Sequence, residues 1–539
     1  MISRLSKNII YNLSGQGLLL VLSFVAVKYI FVNLGKDALG ILFFATFMSV
    51  VLSRILEMGI SFTIVREVSA HFNDNRGYIR DLIKTASLFY WSIYLLLAFG
   101  IIWLAPLIVE KWVSLGTMET ATVIKVLRIL GVGMLLALPK SLYGSLLYGL
   151  QRMGFNNVID LMIVGLQQLG TIVILHLGGG LIQVAWWLVA CFIFGILAYF
   201  LVCLRFFSLQ CFLPGFSLKI IKHNINYTSK MMPLSILAVV HTESDKTIVS
   251  KLLPIGTFGY YNFSSNVARL GNILANVASQ TAFPSFSSLF KSGDRINLMR
   301  QYRKLQDVVC LGAIPLFAIV IFTALPLFTY VFNQETAQLL LLPIILLSVG
   351  FWMNGTISVP YFFSLALGKP EISVRTNTLA LFLILPMTAL LIYLFGLRGA
   401  AFSWILYGLF SYFYFVPKVC SQCLKIPVGV WYWHILRIFV LAGMTYGLAW
   451  IAMGFADRYL ISFLALAYSA ASIAFLIGAY WMIGDELRLT LMRFQRTVSS
   501  ELQRYYKHII PNLFKSFREK DPKVRNRTTN SPGEGSIDK

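Results

Sequence analysis

The run His241-Thr-Glu-Ser-Asp-Lys-Thr247 puts seven polar residues in a row inside a stretch that is otherwise apolar. Glu243 and Asp245 are carboxylates able to take up a proton or Na+, and carboxylates near a membrane midplane serve ion relays. Asp160 is a third such carboxylate. His241 and Lys246 flank the pair and belong to the same polar wall. Single basic residues also stand in other apolar runs, namely Lys28, Arg54, Lys140 and Arg269, the last with Asn266 and Asn272 close by in sequence. A charge at the centre of a bilayer costs about 2.5–3.5 kcal/mol on insertion scales, so such residues usually face a bundle interior or a wet cavity. Their chemistry is electrostatic binding, with no bond made or broken. Arg offers a forked donor set to phosphate oxygens, whereas Lys offers a point charge.

Each of these charges also has a local reading. Arg54 lies three residues before Glu57, the spacing of an ion pair on one helix face. Lys28 is about one turn from the end of its run and can snorkel. Lys140 follows Pro139, where a kink exposes carbonyls. Glu243, Asp245 and Lys246 can neutralise one another.

The elements that must position these residues are membrane helices. Of 539 residues, 58% are hydrophobic and 12% charged, and mean hydropathy is +0.75. A soluble domain has about 25% charged residues. Apolar runs of span length recur along nearly the whole chain, and the alternation of barrel strands is missing. The predicted fold class is an all-α integral membrane protein of fourteen transmembrane helices. The spans are about 9–33, 38–59, 84–109, 121–149, 156–177, 181–204, 231–253, 257–285, 306–332, 337–366, 373–395, 398–417, 430–454 and 459–483. Met1 to Lys7 lead directly into the first span with no small-residue cleavage site, which predicts a retained helix.

Loop charge orients the chain. With the N-terminus in the cytosol, the inner segments hold most of the Lys and Arg, including Arg66, Arg76, Arg80, Arg152, Lys219, Lys222, Lys291, Arg295, Lys369 and Lys425. The outer turns hold only Lys36, Lys111, Lys251, Arg398 and Arg458. The positive-inside rule gives N-in, C-in. It also accounts for the net charge of +23 without nucleic acid, for which no module is present. Gly40-Ile-Leu-Phe-Phe44 and Gly259-Tyr-Tyr-Asn-Phe263 open the second and eighth spans. The turns Leu150-Gln-Arg152 and Leu367-Gly-Lys369 follow the fourth and tenth. These matches predict two six-helix lobes in a parallel pseudo-two-fold repeat plus two C-terminal helices. The expected domains are an N-lobe at 1–204, a cytosolic linker at 205–230, a C-lobe at 231–417, two further spans at 418–483 and a basic cytosolic tail at 484–539. That tail alternates apolar and basic residues, as in Leu487-Arg-Leu-Thr-Leu-Met-Arg493, and reads as disordered from about 520.

Other features carry little. The six cysteines form no disulfide framework, and Cys420-Ser-Gln-Cys423 lacks a second ligand pair. Asn-x-Ser/Thr triplets at Asn12, Asn226, Asn262, Asn354 and Asn526 fall in spans, near inner ends or in the tail, so they are discounted as glycosylation sites.

The segment from Glu243 through Leu253-Pro-Ile-Gly256 to Gly259-Tyr-Tyr-Asn-Phe263 resembles a recurrent stretch of the bacterial polysaccharide flippases. So do Asn12, Leu34-Gly35 and Leu39-Gly40, and so does the fourteen-span plan. The resemblance covers about residues 5–483. It places the chain among transporters of O-antigen and lipid-linked oligosaccharide, within the multidrug/oligosaccharidyl-lipid/polysaccharide superfamily. By span position, Lys28, Arg54 and Arg269 look like the basic residues of the related lipid II flippases. A Lys stands in span one where an Arg is common there.

The resemblance implies an undecaprenyl-pyrophosphate-linked sugar as cargo, carried from the cytosolic to the outer leaflet of the bacterial inner membrane. It implies alternating access around a cationic cavity of Arg269, Lys28, Arg54 and Lys140, with Asp245, Glu243 or Asp160 as coupling carboxylates. No cofactor or metal is expected beyond H+ or Na+. Membrane lipids, a polysaccharide polymerase and a chain-length regulator are the implied partners, and nucleic acid is not. A cation-coupled multidrug antiporter is the alternative, favoured by twelve spans and an acidic lumen. A membrane-embedded polymerase or glycosyltransferase is the second. No metal motif, Gly-rich phosphate loop or sizeable outer loop supports an enzyme.

Overall fold

The structure, a computed structural model, describes residues 2–57, 59–455, 461–484 and 487–488. The expected tail beyond 488 lies outside the described residues. Hydrocarbon offers no partner to a free backbone N–H or C=O, so an apolar chain of this kind satisfies its backbone as helix. The elements in order are α1 (Ile2–Leu56), α2 (Ile60–His71), α3 (Arg76–Lys111), α4 (Thr120–Met134), α5 (Ala137–Gly149), α6 (Met153–His176), α7 (Leu181–Cys203), α8 (Leu218–Leu252), α9 (Ile255–Arg269), α10 (Ile273–Lys291), α11 (Arg295–Val331), α12 (Gln334–Ala366), α13 (Pro370–Phe395), α14 (Leu397–Val419), α15 (Val428–Ala442), α16 (Leu448–Ala452) and α17 (Ile461–Met482). Helix α1 is two helices joined at Gly35, whose φ of 84° only glycine adopts readily.

Eleven helical stretches among the described residues are long and apolar enough to cross a membrane. Both limbs of α1 count as one of them. Helices α8, α9 and α10 are not among the eleven, because α8 carries the polar run and α9 is only 15 residues long. The predicted fourth span is divided into α4 and α5, and the eighth into α9 and α10. The thirteenth passes from α15 to α16 through a π-helical turn at Gly443–Gly447. Residues 218–230, expected as linker, are the first turns of α8. They dock on the N-terminal half, where Thr228 and Thr63 share a hydroxyl hydrogen bond of 2.8 Å.

The two halves of the chain repeat their helix order. Helices α3 and α11 open at Arg76 and Arg295, α6 and α13 at Met153 and Pro370, and α7 and α14 at Leu181 and Leu397. The separations are 219, 217 and 216 residues (295 less 76, 370 less 153, 397 less 181). Even the caps correspond, since Asn75 accepts from Tyr78 N and Asp294 from Asn297 N.

The matching glycines of the repeat meet one another. A Cβ on Gly40 would land on the carbonyl oxygen of Ile255, and one on Gly259 would stand 2.9 Å from the backbone of Gly40. Helices α1 and α9 therefore touch backbone to backbone, as small residues allow between membrane helices. Aromatic rings fill the flanks. Phe44 and Phe258 pack edge to face at 5.9 Å, and Phe24 and Phe263 at 5.8 Å. Beyond the glycines, buried Asp37 accepts from the backbone and hydroxyl of Thr117 at 2.8 and 3.2 Å. Ile255 N bonds Ser114 O at 3.0 Å. These contacts close the end of the bundle that the loop charges assign to the outside.

The last helices are tied on separately. Asp307 of α11 faces His434 of α15 at 3.2 Å and accepts from Gly484 N at 3.1 Å.

Gly40→Val is expected to destabilise the protein by on the order of 1–3 kcal/mol, because the blocking atom is backbone and cannot move aside as a side chain would. Thermal unfolding in detergent checks this against Gly154→Ala, whose added methyl meets nothing within 4 Å. An unchanged melting temperature for Gly40→Val refutes the close packing.

Candidate functional site

The polar run is built into α8, and the helical period distributes it around the axis. His241 and Asp245, four residues apart, face α14. The His241 ring lies against Tyr407 with centroids 3.8 Å apart and beside Trp404 at 5.8 Å. Asp245 is 4% exposed. Its Oδ2 accepts from Tyr261 Oη at 2.6 Å and Trp404 Nε1 at 2.9 Å. Its Oδ1 is buried without a protein partner.

Arg269 ends α9, where the turn Leu270–Asn272 breaks the helix before α10. Its guanidinium donates to Thr242 O at 3.0 Å. It also lies 5.2 Å from the ring centre of Phe351 and 5.5 Å from that of Trp404. Such ring faces attract a cation without neutralising it. No carboxylate of the described residues lies within ion-pair distance of Arg269. Its Nε, and Oδ1 of Asn272, are buried without a protein partner.

These side chains border a cavity of about 370 Å³. Its walls carry four amides, Asn272, Asn276, Asn354 and Asn377, and the aromatic faces of Phe351, Tyr361, Trp404 and Tyr407. All lining residues fall between Ala238 and Phe415, so this cavity lies within the C-terminal half. A site of this size with a few fixed polar groups suits part of a polar ligand. Sequence reasoning missed Asn276, Asn354, Asn377, Trp404 and Tyr407. The amides carried a signal, as polar groups stranded in apolar spans. The aromatics carried none, being common throughout the chain.

A second, smaller cavity of about 30 Å³ adjoins Asp245, Ser244, Thr388 and Ser403. That is room for a water or a small ion. Thr388 and Ser403 donate their hydroxyl protons to Ile384 O and Ala400 O, which leaves oxygen lone pairs available to a cation.

The other predicted residues lie apart from these cavities. On another side of α8, Glu243 accepts from Lys246 Nζ at 2.8 Å, and both are about 6% exposed. Arg54 of α1 approaches Glu243 at 3.9 Å. Its carboxylate contact is thus across the two halves, while Glu57 accepts from Ser141 at 3.2 Å. Lys140 and Asp160 form an ion pair at 2.7 Å within the N-terminal half. Lys28 Nζ sits 3.5 Å over the ring of Tyr330, between α1 and α11. Asn266 is exposed and donates to Asn262 at 3.1 Å. A further cavity of about 360 Å³, almost wholly apolar, lies between α11, α12 and the π-helical turn near Tyr446 and Trp450. Among the described residues no group of three or more His, Cys, Asp or Glu could hold a metal ion.

Residues 5–290 match the family described as polysaccharide biosynthesis protein. The chain is 22% identical over 407 residues to a Shigella flexneri protein named for O-antigen transport, covering 74% of this chain and 93% of that one. Its fold is similar to the lipid II flippase MurJ in an inward closed conformation, with a TM-score of 0.71 at 15% identity over 87% of this chain and 98% of that one. It is also similar to an inward-facing multidrug resistance MATE transporter of the MOP superfamily, with a TM-score of 0.61 at 15% identity over 74% and 94% of the two chains. The chain belongs to the polysaccharide biosynthesis protein family and has the multi-pass helical fold of the MOP-superfamily transporters.

Proposed function

We propose that the protein is a flippase that moves a polyprenyl-pyrophosphate-linked oligosaccharide from the cytosolic to the outer leaflet of the bacterial inner membrane. The observation that carries this reading is the cavity at Arg269. A cation with no carboxylate partner among the described residues stands there among amides and aromatic faces, in a chain of the polysaccharide family. Guanidinium and amides suit the anionic and hydroxyl-rich parts of such a headgroup. Aromatic faces suit the apolar face of a sugar ring. The apolar cavity between α11, α12 and α15 suits part of a prenyl chain. The relatives whose names state an activity are transporters or flippases, and the protein is not an enzyme. A cationic drug as cargo fits less well, because the charged residue lining the larger cavity is an arginine.

In this reading the chain has fourteen spans with both termini in the cytosol, and residues 1–204 and 231–417 are two lobes that rock about the Gly40–Gly259 contact. The end of the bundle near Gly40 and Gly259, the outer end in this reading, is held closed by the contacts of Ser114 with Ile255 and of Gly40 with Gly259. Opening it would separate Ser114 of the first lobe from Ile255 of the second. Asp245 and the oxygens beside it would take up H+ or Na+ to couple the movement to a gradient. The basic groups at Arg54 and Lys28, on the limbs of α1, would meet the pyrophosphate between the lobes. The polymerase and chain-length regulator would receive the product outside.

Purified protein in liposomes is expected to flip a lipid-pyrophosphate oligosaccharide above protein-free background, whereas cationic dyes are not carried. Arg269→Ala is expected to lower the rate about tenfold or more, as for loss of a charge-assisted contact. Asp245→Asn is expected to remove the response to imposed pH and Na+ gradients. Wild-type rates for Arg269→Ala would take Arg269 out of the site, and dye transport without lipid transport would replace the reading with the antiporter.

A separate expectation concerns Glu243 and Lys246. Glu243→Ala strands a buried ammonium and is expected to destabilise by about 3–5 kcal/mol, while the double change Glu243→Leu with Lys246→Met is expected to be near neutral. Denaturation of the two variants and the unmodified protein in detergent separates these outcomes.

A further inference from the structure

At the end of the bundle assigned to the cytosol, the C-terminal half encloses a cavity of about 360 Å³ that the transport reading does not use. Three cations line it from three different loops. Arg295 opens α11, Lys369 precedes α13, and Lys425 follows the π-helical turn after α14. No ion pair engages any of the three among the described residues. Lys369 is half-buried and is held in place by a hydrogen bond from Nζ to Gln422 O at 3.0 Å. The nearby acids are not part of the lining. Asp294 is committed to Asn297, accepting from its N at 3.1 Å and Nδ2 at 2.6 Å, and Glu371 is exposed in the first turn of α13. The opposite wall is apolar, with Leu367 and half-exposed Phe290.

The repeat makes this grouping specific to one half. Arg76 and Arg152 hold the matching positions in the N-terminal half. There Arg76 lies over the ring of Phe72 at 5.5 Å and Arg152 over that of Phe206 at 5.9 Å. Each of those cations rests on a ring face. Their counterparts Arg295 and Lys369 instead border an open cavity together with a third cation. The first turns of the long helices α11 and α13 reach the same place, and the positive ends of their dipoles add to the field. Like charges gathered in this way repel one another unless an anion sits between them.

We propose that this cavity binds the phosphate headgroup of an anionic glycerophospholipid of the inner leaflet, with the start of an acyl chain against Phe290 and Leu367. A basic pocket between helices on the cytosolic side, backed by an apolar wall, matches a headgroup joined to hydrocarbon. A soluble phosphate would have no use for the apolar wall. The inference is independent of the cargo, and its test reads lipid binding and not transport.

Native mass spectrometry of the purified full-length chain, with phosphatidylglycerol and phosphatidylcholine as probes, tests it. The protein is expected to retain phosphatidylglycerol in preference to phosphatidylcholine. Lys369→Gln with Lys425→Gln is expected to lower phosphatidylglycerol affinity about tenfold or more, at roughly 1 kcal/mol per cation, with phosphatidylcholine retention and melting temperature unchanged. Phe290→Gln is expected to weaken phosphatidylglycerol as well while leaving the charge intact. Equal retention of the two lipids by the unmodified protein overturns the proposal, as does undiminished phosphatidylglycerol binding in the double variant. Displacement of the lipid by millimolar inorganic pyrophosphate, with Phe290→Gln without effect, overturns it in favour of a soluble phosphate.

Discussion

The backbone contact between α1 and α9 is the constraint from which the rest of the arrangement follows. In a bilayer, apolar side chains gain little by leaving lipid for protein, so helices associate through close packing and satisfied polar groups. Gly40 and Gly259 supply the closest packing available. Because they are equivalent positions of a repeat, their meeting places an approximate two-fold axis between them. Helices α3, α6 and α7 of one half then have their counterparts in α11, α13 and α14 of the other. The contact also leaves no room for a side chain, and in the proposed cycle it is the fixed point about which larger separations elsewhere open and close.

Around that fixed point, the protein handles its membrane charges in three ways. Lys140 with Asp160, and Lys246 with Glu243, are paired outright. Lys28 is laid on the face of Tyr330. Arg269 and Asp245 are held by neutral groups, namely a carbonyl and two ring faces for the first and a phenol and an indole for the second. Paired charges satisfy one another and have little capacity left for a ligand. Charges held by neutral donors and acceptors keep their attraction for an outside ion. In the proposed function, this distinction sets Arg269 and Asp245 apart from the charges that serve structure alone.

Much of the helical plan was legible because apolar run length and turn residues report directly on membrane helices. The Gly40 and Gly259 repeat was legible for the same reason, since only glycine serves a backbone contact. The places where the plan blurred are instructive. Spans four and eight are each split, at Leu135–Leu136 and Leu270–Asn272, and local composition does not mark a break that tertiary packing imposes. The site was legible in its charges and largely illegible in its walls. Arg269, His241, Asp245 and Asn272 stood out as polar groups in apolar surroundings. Trp404 and Tyr407 look like ordinary span residues, and only the fold shows that one indole serves both charges. Arg54 shows the opposite failure, since Glu57 is near in sequence while Glu243 is near in space.

In the proposed function, that shared indole would give the site a physical means of coupling. Trp404 donates its N–H to Asp245 and turns its face toward Arg269. In the proposed cycle, a cation at Asp245 competes for the carboxylate lone pairs that now hold the indole. Loosening that hydrogen bond frees the ring that shields the guanidinium. An anionic headgroup drawing Arg269 away from the ring would in turn release Trp404 to move. The two ligands are then linked through a single side chain, and linkage requires the effect to be reciprocal. A carboxylate paired directly to the arginine would not serve, because each ligand would then have to break a full ion pair before binding. Holding one charge at the edge and the other at the face of a single neutral ring would leave neither indifferent to the other.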